Sequence, residues 1–169
     1  MLPVRNGRRM QVCAAVSLLG CLLAAGCGSG ALQVTAPHPD PGTQRLCQAL
    51  SQRLPGRLDG HARRAVTPRS ALTAAWGSPP IVLRCGVPLP AGMPPTAELT
   101  VVNGISWFPA GSAAPGAGSG SGPGVFTEVG RQARVELTVP ATDEPAAAVL
   151  VRISDLIAAV IPARPGGTL

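Results

Sequence analysis

Two segments of the chain carry apolar residues at helical spacing. Leu46, Leu50 and Leu54 recur every four positions, which predicts a helix that starts near Asp40 and ends before Pro55. A second helix is predicted over residues 146–161, where apolar residues again recur with a period close to 3.6. We therefore expect one helix near each end of the folded region.

The residues between these helices show strand patterns. Strands are predicted over residues 80–87, 97–102, 105–108, 125–129 and 132–139. Asn103-Gly104 separates two of them, and this pair is typical of a hairpin turn because both residues tolerate positive φ. Residues 56–79 are rich in turn formers. The expected fold class is α+β, with a mostly antiparallel sheet of four or five strands and two helices packed on one face.

The first thirty residues have the three zones of an export signal. Arg5, Arg8 and Arg9 precede an apolar run over residues 10–25, and small residues follow it. Residues 23–27 (LAAGC) have the form of a lipobox. We expect residues 1–26 to be removed as a lipoprotein signal peptide and Cys27 to carry the lipid. A single acyl chain binds a membrane only reversibly, whereas the two or three chains of a bacterial lipoprotein hold it there.

Other interpretations of this segment stay open. Cys21 ends a similar box at residues 18–21, but apolar residues follow Cys21, whereas a polar linker follows Cys27. Residues 11–33 carry no charge and are long enough to remain as an uncleaved membrane anchor. A soluble secreted product is a third interpretation. All of them export the folded region.

The remaining chain is expected to form a single α+β domain over residues 34–162. A flexible tether over residues 27–33 precedes the domain, and a disordered tail over residues 163–169 follows it. Residues 110–124 are almost entirely Gly, Ser, Ala and Pro, which predicts a low-complexity loop within the domain.

Charge and composition argue against nucleic acid as a partner. The net charge is +6, but three of the fourteen basic residues lie in the export signal, which leaves about +3. Proteins that bind nucleic acid usually present a basic stripe interleaved with aromatic residues, and the chain has only two Trp, two Phe and no Tyr. We expect no nucleic-acid binding.

Two cysteines remain in the domain once the export signal is set aside. In an exported domain Cys47 and Cys85 most simply form a disulfide, which would join the first helix to the strand over residues 80–87. The alternative is a pair of free thiols, one of them a nucleophile with a lowered pKa.

Aromatic and basic residues supply one candidate binding surface. It consists of Trp76, Arg84 and Trp107, with a basic cluster at Arg63, Arg64 and Arg69. Such a surface is suited to a polymer, an anionic head group or a partner protein. The interpretation that we favour, however, is that the two tryptophans are simply the large residues of an otherwise aliphatic core.

Catalytic and metal-binding patterns are weak throughout. His38 with Asp40, and Asp59 with His61, do not place two ligands on one helical face, so no metal site is predicted. The Gly/Ser tract has Gly120 where a nucleophile elbow requires serine. We therefore assign no catalytic residue, metal or cofactor from the sequence.

Several segments together resemble the domain-of-unknown-function family 3515: residues 46–47, 73–77, 81–87, 103–107 and 126–140. The resemblance covers residues 34–162, and residues 76–87 are its most specific part. It implies an exported or membrane-attached protein of high-GC Gram-positive bacteria and supports pairing of Cys47 with Cys85. It supplies no activity, and the Gly/Ser insertion after Pro109 departs from the family pattern.

The sequence therefore favours a cell-envelope lipoprotein on the extracytoplasmic face of the cell membrane that acts as a non-enzymatic binding or accessory module. Its expected partners are the membrane, through the lipid anchor, and an envelope protein, wall polymer or lipid. The alternatives are an extracytoplasmic hydrolase with an unrecognised active site and an uncleaved, signal-anchored accessory protein. A Ser or Cys within hydrogen-bond reach of His61, with a third group orienting the ring, would favour the hydrolase.

Overall fold

The computed structural model of the chain describes residues 30–116, 122–143 and 145–167. The predicted signal peptide, with Cys21 and Cys27, lies outside the described residues, as does part of the low-complexity loop. None of the described helices combines the length and the apolar character needed to cross a membrane.

Ten strands and two α-helices make up the described part of the chain. In chain order they are β1 (Leu32–Gln33), α1 (Pro41–Arg53), β2 (Arg57–Leu58), β3 (His61–Arg64), β4 (Val66–Thr67), β5 (Thr73–Trp76), β6 (Ile81–Cys85), β7 (Thr100–Val102), β8 (Ile105–Gly111), β9 (Gly124–Val129), β10 (Val135–Val139) and α2 (Ala147–Val160). Short 3₁₀ helices cover Ala141–Asp143 and Pro165–Gly167.

Eight of the strands form one antiparallel sheet in the order β2-β3-β5-β6-β10-β9-β8-β7. At its centre Leu137 of β10 lies opposite Leu83 of β6 and Phe126 of β9, and alternate residues from these positions face a single core. β1 and β4 form a separate parallel pair.

Both helices pack on the same face of the sheet, and the fold class is α+β as predicted. Helix α1 is joined to this face through Cys85, and α2 through Trp107, whose Nε1–H donates to Ser154 Oγ at 2.9 Å. The register of the paired strands places Cys85 and Trp107 on this face of the sheet. Residues that lie opposite each other on neighbouring strands point to the same side of a sheet.

Helix α1 begins where the sequence predicts, for a local reason. Asp40 is its N-cap, and its Oδ1 accepts hydrogen bonds from the Gly42 and Thr43 backbone amides at 2.8 and 3.1 Å. The Thr43 hydroxyl donates to Oδ2 at 2.6 Å, and this bond is the largest cause of the lowered pKa of Asp40. The helix ends before Pro55, with Leu54 in extended conformation.

The sheet is larger than the four or five strands expected. The additional strands β2, β3 and β5 lie in the segment that the sequence marks as turn-rich. β3 is short, and two of its four residues are arginine, so it lacks the alternation that identifies a half-buried strand. It is a strand because it pairs with β5, with Arg63 opposite Trp76 and Arg64 opposite Ala75. Such non-local pairing overrides local preference.

The predicted hairpin at Asn103-Gly104 is confirmed. The two residues have φ of 50° and 73°, and they join β7 to β8. Strands β8 and β9 extend into the two ends of the predicted low-complexity segment, residues 110–124. Gly111 ends β8 and Gly124 begins β9, and these two residues lie opposite each other.

The described chain is also paired beyond the domain limits drawn from the sequence. Leu32, which the sequence places in the tether, lies opposite Val66 in the β1–β4 pair. At the other end, Ala163 forms a bridge with Arg131, and the Arg164 N–H donates to the Gly130 carbonyl at 2.8 Å.

The predicted disulfide is present. Cys47 in α1 and Cys85 at the end of β6 are bonded with a Cα–Cα distance of 5.6 Å, and both side chains are buried. The bond joins α1 to the sheet and removes both thiols as candidate nucleophiles.

Candidate functional site

A cavity of about 420 Å³ lies where three segments meet: the residues before α1, the end of β6 and the start of β10. Three arginines from distant parts of the sequence line it, Arg84, Arg134 and Arg164. We call this cavity the arginine pocket. Its remaining lining consists of Pro37, His38, Pro39, Asp40, Thr43, Gly86, Val87, Pro88 and Gln132.

Gly86 fixes the wall of the arginine pocket next to the disulfide. It has φ of +89°, and a Cβ at this position would lie 2.6 Å from Pro39 Cγ. The Gly86 N–H donates to the Arg134 carbonyl at 2.7 Å. A residue without a side chain is therefore required for the segment before α1 to lie against the end of β6.

Arg84 is held in place by two hydrogen bonds. Its Nη1 donates to Glu136 Oε1 at 2.9 Å across the β6–β10 pair, and its Nε donates to the Thr35 carbonyl at 3.1 Å. The side chain points away from the helices, since its neighbours Leu83 and Cys85 are the buried positions of β6. The two hydrogen bonds thus fix the orientation of the Arg84 guanidinium group, and Glu136 offsets part of its positive charge.

Arg134 is the least satisfied group of the pocket. It lies two residues before Glu136 and so projects from the same face of the sheet. Its Nε is buried and makes no hydrogen bond to any described residue. Burial, and after it the charge of Arg164, lower the pKa of Arg134. A buried donor without an acceptor costs about 1–3 kcal/mol, and the nearby like charge adds to that cost.

Arg164 reaches the pocket from the C-terminal segment. Its Nε donates to the Arg131 carbonyl at 2.9 Å, and the Arg131 Nη1 donates to the Ile161 carbonyl at 3.1 Å. The Gln132 N–H also donates to the Pro162 carbonyl at 3.0 Å. These bonds hold residues 161–164 against the turn before β10.

A buried carboxyl group lies near two of these arginines, Arg134 and Arg164, but on the helix face of the sheet. Glu128 is opposite Trp107, is fully buried, and neither carboxyl oxygen makes a well-formed hydrogen bond to a described residue. Burial raises the pKa of Glu128 to about 7, although the Arg131 amide and the charges of Arg131, Arg134 and Arg164 act in the opposite direction. Near neutral pH, Glu128 is therefore only a partial counter-charge for these arginines.

The comparisons with known proteins give one match. The model of the family described as "Protein of unknown function (DUF3515)" matches residues 10–166. The chain belongs to the DUF3515 family. The match spans both α-helices, all ten strands and the three arginines of the pocket in this DUF3515 protein. Neither the curated proteins nor the solved structures contain a significant match.

The three residues of the predicted binding surface do not come together in this DUF3515 protein. Trp76 and Trp107 are fully buried on the helix face, where the Trp76 Nε1–H donates to the Pro55 carbonyl at 2.9 Å. Arg84 projects from the opposite face and lines the arginine pocket. The basic cluster, Arg63, Arg64 and Arg69, lines a separate cavity of about 490 Å³.

His61 has an orienting partner, but among the described residues no nucleophile is hydrogen-bonded to it. Its Nε2 lies 3.1 Å from Asp143 Oδ1, and its ring packs so closely on Gly77 that a Cβ there would be 2.8 Å from Nδ1. In the described part of the chain, no Ser hydroxyl is hydrogen-bonded to His61, and the cysteines there are disulfide-bonded. The same part of the chain holds no group of three His, Cys, Asp or Glu side chains that is arranged to bind a metal.

Of the three arginines that line the pocket, only Arg84 was predicted from the sequence as a binding residue. Arg134 was expected only as part of the strand over residues 132–139, and Arg164 as part of a disordered tail, so their convergence was missed. For Glu128 a signal was present, because the two-residue period of β9 places it on the same face as Phe126. A carboxylate at a core-facing strand position is a feature worth testing.

Proposed function

We propose that this chain is a cell-envelope lipoprotein, anchored through Cys27 on the outer face of the cytoplasmic membrane, that binds an anionic group in the arginine pocket. The module is non-enzymatic. The observation that carries the binding proposal is the buried, unsatisfied Nε of Arg134 beside the charge of Arg164.

An anion in the pocket would relieve both costs of this arrangement. A carboxylate or phosphate oxygen accepts the hydrogen bond that Arg134 Nε lacks, and its charge offsets the repulsion between the two guanidinium groups. Guanidinium groups suit such ligands because their planar N–H pairs match two oxygens at once. Arg84, already oriented by Glu136 and Thr35, adds a third positive charge to the same cavity.

The extracytoplasmic address has independent support. Disulfides form and persist in oxidising compartments, and Cys47–Cys85 is a buried structural bond. The export pattern of residues 1–26 agrees with that compartment. Immediately after Cys27 the sequence continues Gly-Ser-Gly, a flexible composition suited to a tether.

The arginine pocket is better suited to binding than to catalysis. Its one threonine hydroxyl, that of Thr43, already donates to Asp40 at 2.6 Å. Asp40 in turn accepts bonds from the first turn of α1, so its carboxylate is committed to capping. No nucleophile paired with a base lines the pocket among the described residues.

The address is tested by the intact mass of the protein extracted from membranes of the native cell. Lipoprotein processing predicts loss of residues 1–26 and addition of a diacylglycerol thioether at Cys27. The Cys27→Ala variant should remain unprocessed, and the Cys21→Ala variant should be processed like the wild type. A full-length mass, or processing that depends on Cys21, would contradict the anchor at Cys27.

Anion binding is tested with the full chain in detergent, by calorimetric titration with inorganic phosphate and with acetate. The wild type should bind at least one of them, and Arg134→Gln should weaken that binding by tenfold or more, as expected for the loss of a charge-assisted hydrogen bond. Arg152→Gln removes one charge from an exposed position of α2 and should bind like the wild type. Equal losses of affinity in the two variants would show that binding depends only on the net charge of the protein.

A further inference from the structure

The cavity lined by Arg63, Arg64 and Arg69 is a second basic site, distinct from the arginine pocket. We call it the edge cavity, because it lies beside β3 and β4 near one edge of the sheet. Its volume is about 490 Å³, and none of the described residues that line it is acidic. The basic cluster noted in the sequence is therefore brought together by the fold, without an acidic group in the cavity wall.

A buried hydroxyl group also belongs to this cavity. Thr73 lines it and is only 2% exposed, and its Oγ1 makes no hydrogen bond to a described residue. Arg64 lies on the same face of the sheet, since its partner Ala75 is two residues from Thr73. Arg64 Nη1 donates to the Gly77 carbonyl at 3.0 Å, which orients the guanidinium group while other N–H groups stay available.

The other two arginines differ in their surroundings. The Arg63 guanidinium lies over the Trp76 ring, 5.4 Å from its centroid, and so has a preferred position. Arg69 is exposed and makes no hydrogen bond or ion pair with a described residue. Because Trp76 faces the helices, the Arg63 guanidinium lies on the helix face of this edge, whereas Arg64 and Thr73 lie on the opposite face. The edge thus carries two oriented cations, one on each face, and a third, Arg69, that is free to reach toward a ligand.

The edge cavity lies where the chain enters the domain. Ala31 lines it, and the next residue, Leu32, donates its N–H to the Ala65 carbonyl at 2.9 Å. β1 then runs parallel to β4, which lies between Arg64 and Arg69 in the sequence. Cys27 precedes Ala31 by four residues, so a lipid on Cys27 is attached within about 14 Å of this point even when the tether is fully extended.

We propose that the edge cavity binds the phosphate group of an anionic phospholipid and thereby orients the domain on the membrane. This inference rests on the proposed anchor at Cys27, which brings the cavity to the headgroup layer. Arginine binds phosphate through paired, charge-assisted hydrogen bonds, and Thr73 Oγ1 adds a hydroxyl to the same cavity. The anchor supplies attachment, and the three arginines fix which edge of the domain faces the lipid.

Three arginines are enough to make this orientation dominant. Each basic residue at an anionic membrane surface strengthens the contact about fivefold, so three shift the equilibrium on the order of 100-fold. The contact should weaken with salt, because surface charges are screened over about 8 Å at physiological ionic strength.

The experiment uses the full chain reconstituted into nanodiscs of phosphatidylcholine alone or mixed with phosphatidylglycerol, with deuterium uptake measured across residues 60–76. We expect uptake in this segment to slow at least threefold in the anionic discs and to recover at high salt. Arg63→Gln/Arg64→Gln/Arg69→Gln should show the same uptake in both discs. The charge-matched triple variant Arg45→Gln/Arg53→Gln/Arg152→Gln should behave like the wild type.

Equal uptake of the wild type in both discs would overturn the proposal, as would equal loss of protection in the two triple variants. Because Arg63 and Arg64 also contact the sheet, Arg69→Gln is measured as well, and it should lose part of the protection without unfolding. If soluble glycerol phosphate protects the segment equally in discs of phosphatidylcholine, the ligand is a free phosphate ester and the membrane role is wrong. Intact mass reports the anchor separately, so failure of the anchor is distinguishable from failure of headgroup binding.

Discussion

Gly86 and Pro39 are in such close contact that no side chain fits between them: a Cβ on Gly86 would lie 2.6 Å from Pro39 Cγ. The contact follows directly on the disulfide, since Cys85 is bonded to Cys47 and Gly86 is the next residue. The disulfide therefore brings α1 and the segment before it to the end of β6, and the small size of Gly86 lets that segment form a wall of the arginine pocket.

Replacement of Gly86 by alanine should lower both stability and anion binding. The positive φ should cost about 1–2 kcal/mol in unfolding free energy, and the clash should displace Pro39 and open the pocket. Urea unfolding and phosphate titration of the full chain measure the two effects. Gly60→Ala is the matched control, since Gly60 has φ of +80° and nothing within 4 Å of the added Cβ. Gly60→Ala should lower stability without weakening phosphate binding. Equal loss of phosphate affinity in the two variants would contradict the role of Gly86 in the wall of the arginine pocket.

Removal of the disulfide should destabilise the domain without changing its fold. The bond closes a loop with a sequence separation of 38, for which the chain-entropy model gives about 3–4 kcal/mol. Cys47→Ala/Cys85→Ala should therefore unfold at lower urea concentration than the oxidised wild type. A reducing agent should lower the stability of the wild type to near that of the variant and should leave the stability of the variant unchanged. If reduction has no effect on the wild type, the bond does not contribute to stability in this way.

Local sequence patterns predicted the elements whose structure is decided locally. Helix α1 starts at the Asp40 cap and ends before Pro55, and the Asn103-Gly104 hairpin follows from the tolerance of both residues for positive φ. β3 was missed because its residues become a strand only through pairing with β5. The number of strands was underestimated for this reason.

Stability should fall as the pH rises through the range in which Glu128 ionises. Its pKa is raised from 4.5 to about 7, so the folded state holds the proton after the unfolded state has lost it. The stabilisation is complete below about pH 4.5 and is lost as the pH passes 7, by up to about 3 kcal/mol. Urea unfolding at about pH 5 and about pH 8 measures the change.

Glu128→Gln should lack this dependence, because glutamine stays neutral, and should be more stable than the wild type at the higher pH. Glu98→Gln removes an exposed carboxylate and should retain the wild-type pH dependence. If Glu128→Gln follows the wild-type curve, Glu128 is ionised in the folded state throughout this range.

The hydrogen bond between Trp107 and Ser154 should contribute measurably to the packing of α2. Ser154→Ala leaves the buried indole N–H without an acceptor, which should cost about 1–3 kcal/mol in unfolding free energy. Ser78→Ala, at an exposed position, should have a much smaller effect. Thermal unfolding of the two variants would show whether this difference exists; equal midpoints would mean that the bond adds nothing to stability.

The candidate site was less predictable than the fold. Arg84, Arg134 and Arg164 are separated by up to 80 residues, and only the β6–β10 pairing and the return of the C-terminal segment bring them together. Trp76 and Trp107 were candidates for a surface, but in a domain with so few aromatic residues both are used in the core. The spacing of residues in the sequence does not predict that the three arginines converge, whereas burial of the two tryptophans in the core was an interpretation that the sequence already favoured.

The most direct test of anion binding is the side-chain NMR signal of Arg134 in the full chain labelled with ¹⁵N-arginine. Among the described residues that line the arginine pocket, Arg134 Nε–H is the one buried side-chain donor that has no acceptor. On titration with inorganic phosphate, its resonance should shift and saturate, while that of the exposed Arg152 should stay in place. An Arg134 resonance that does not move, or that moves only in parallel with Arg152, would contradict anion binding in the arginine pocket.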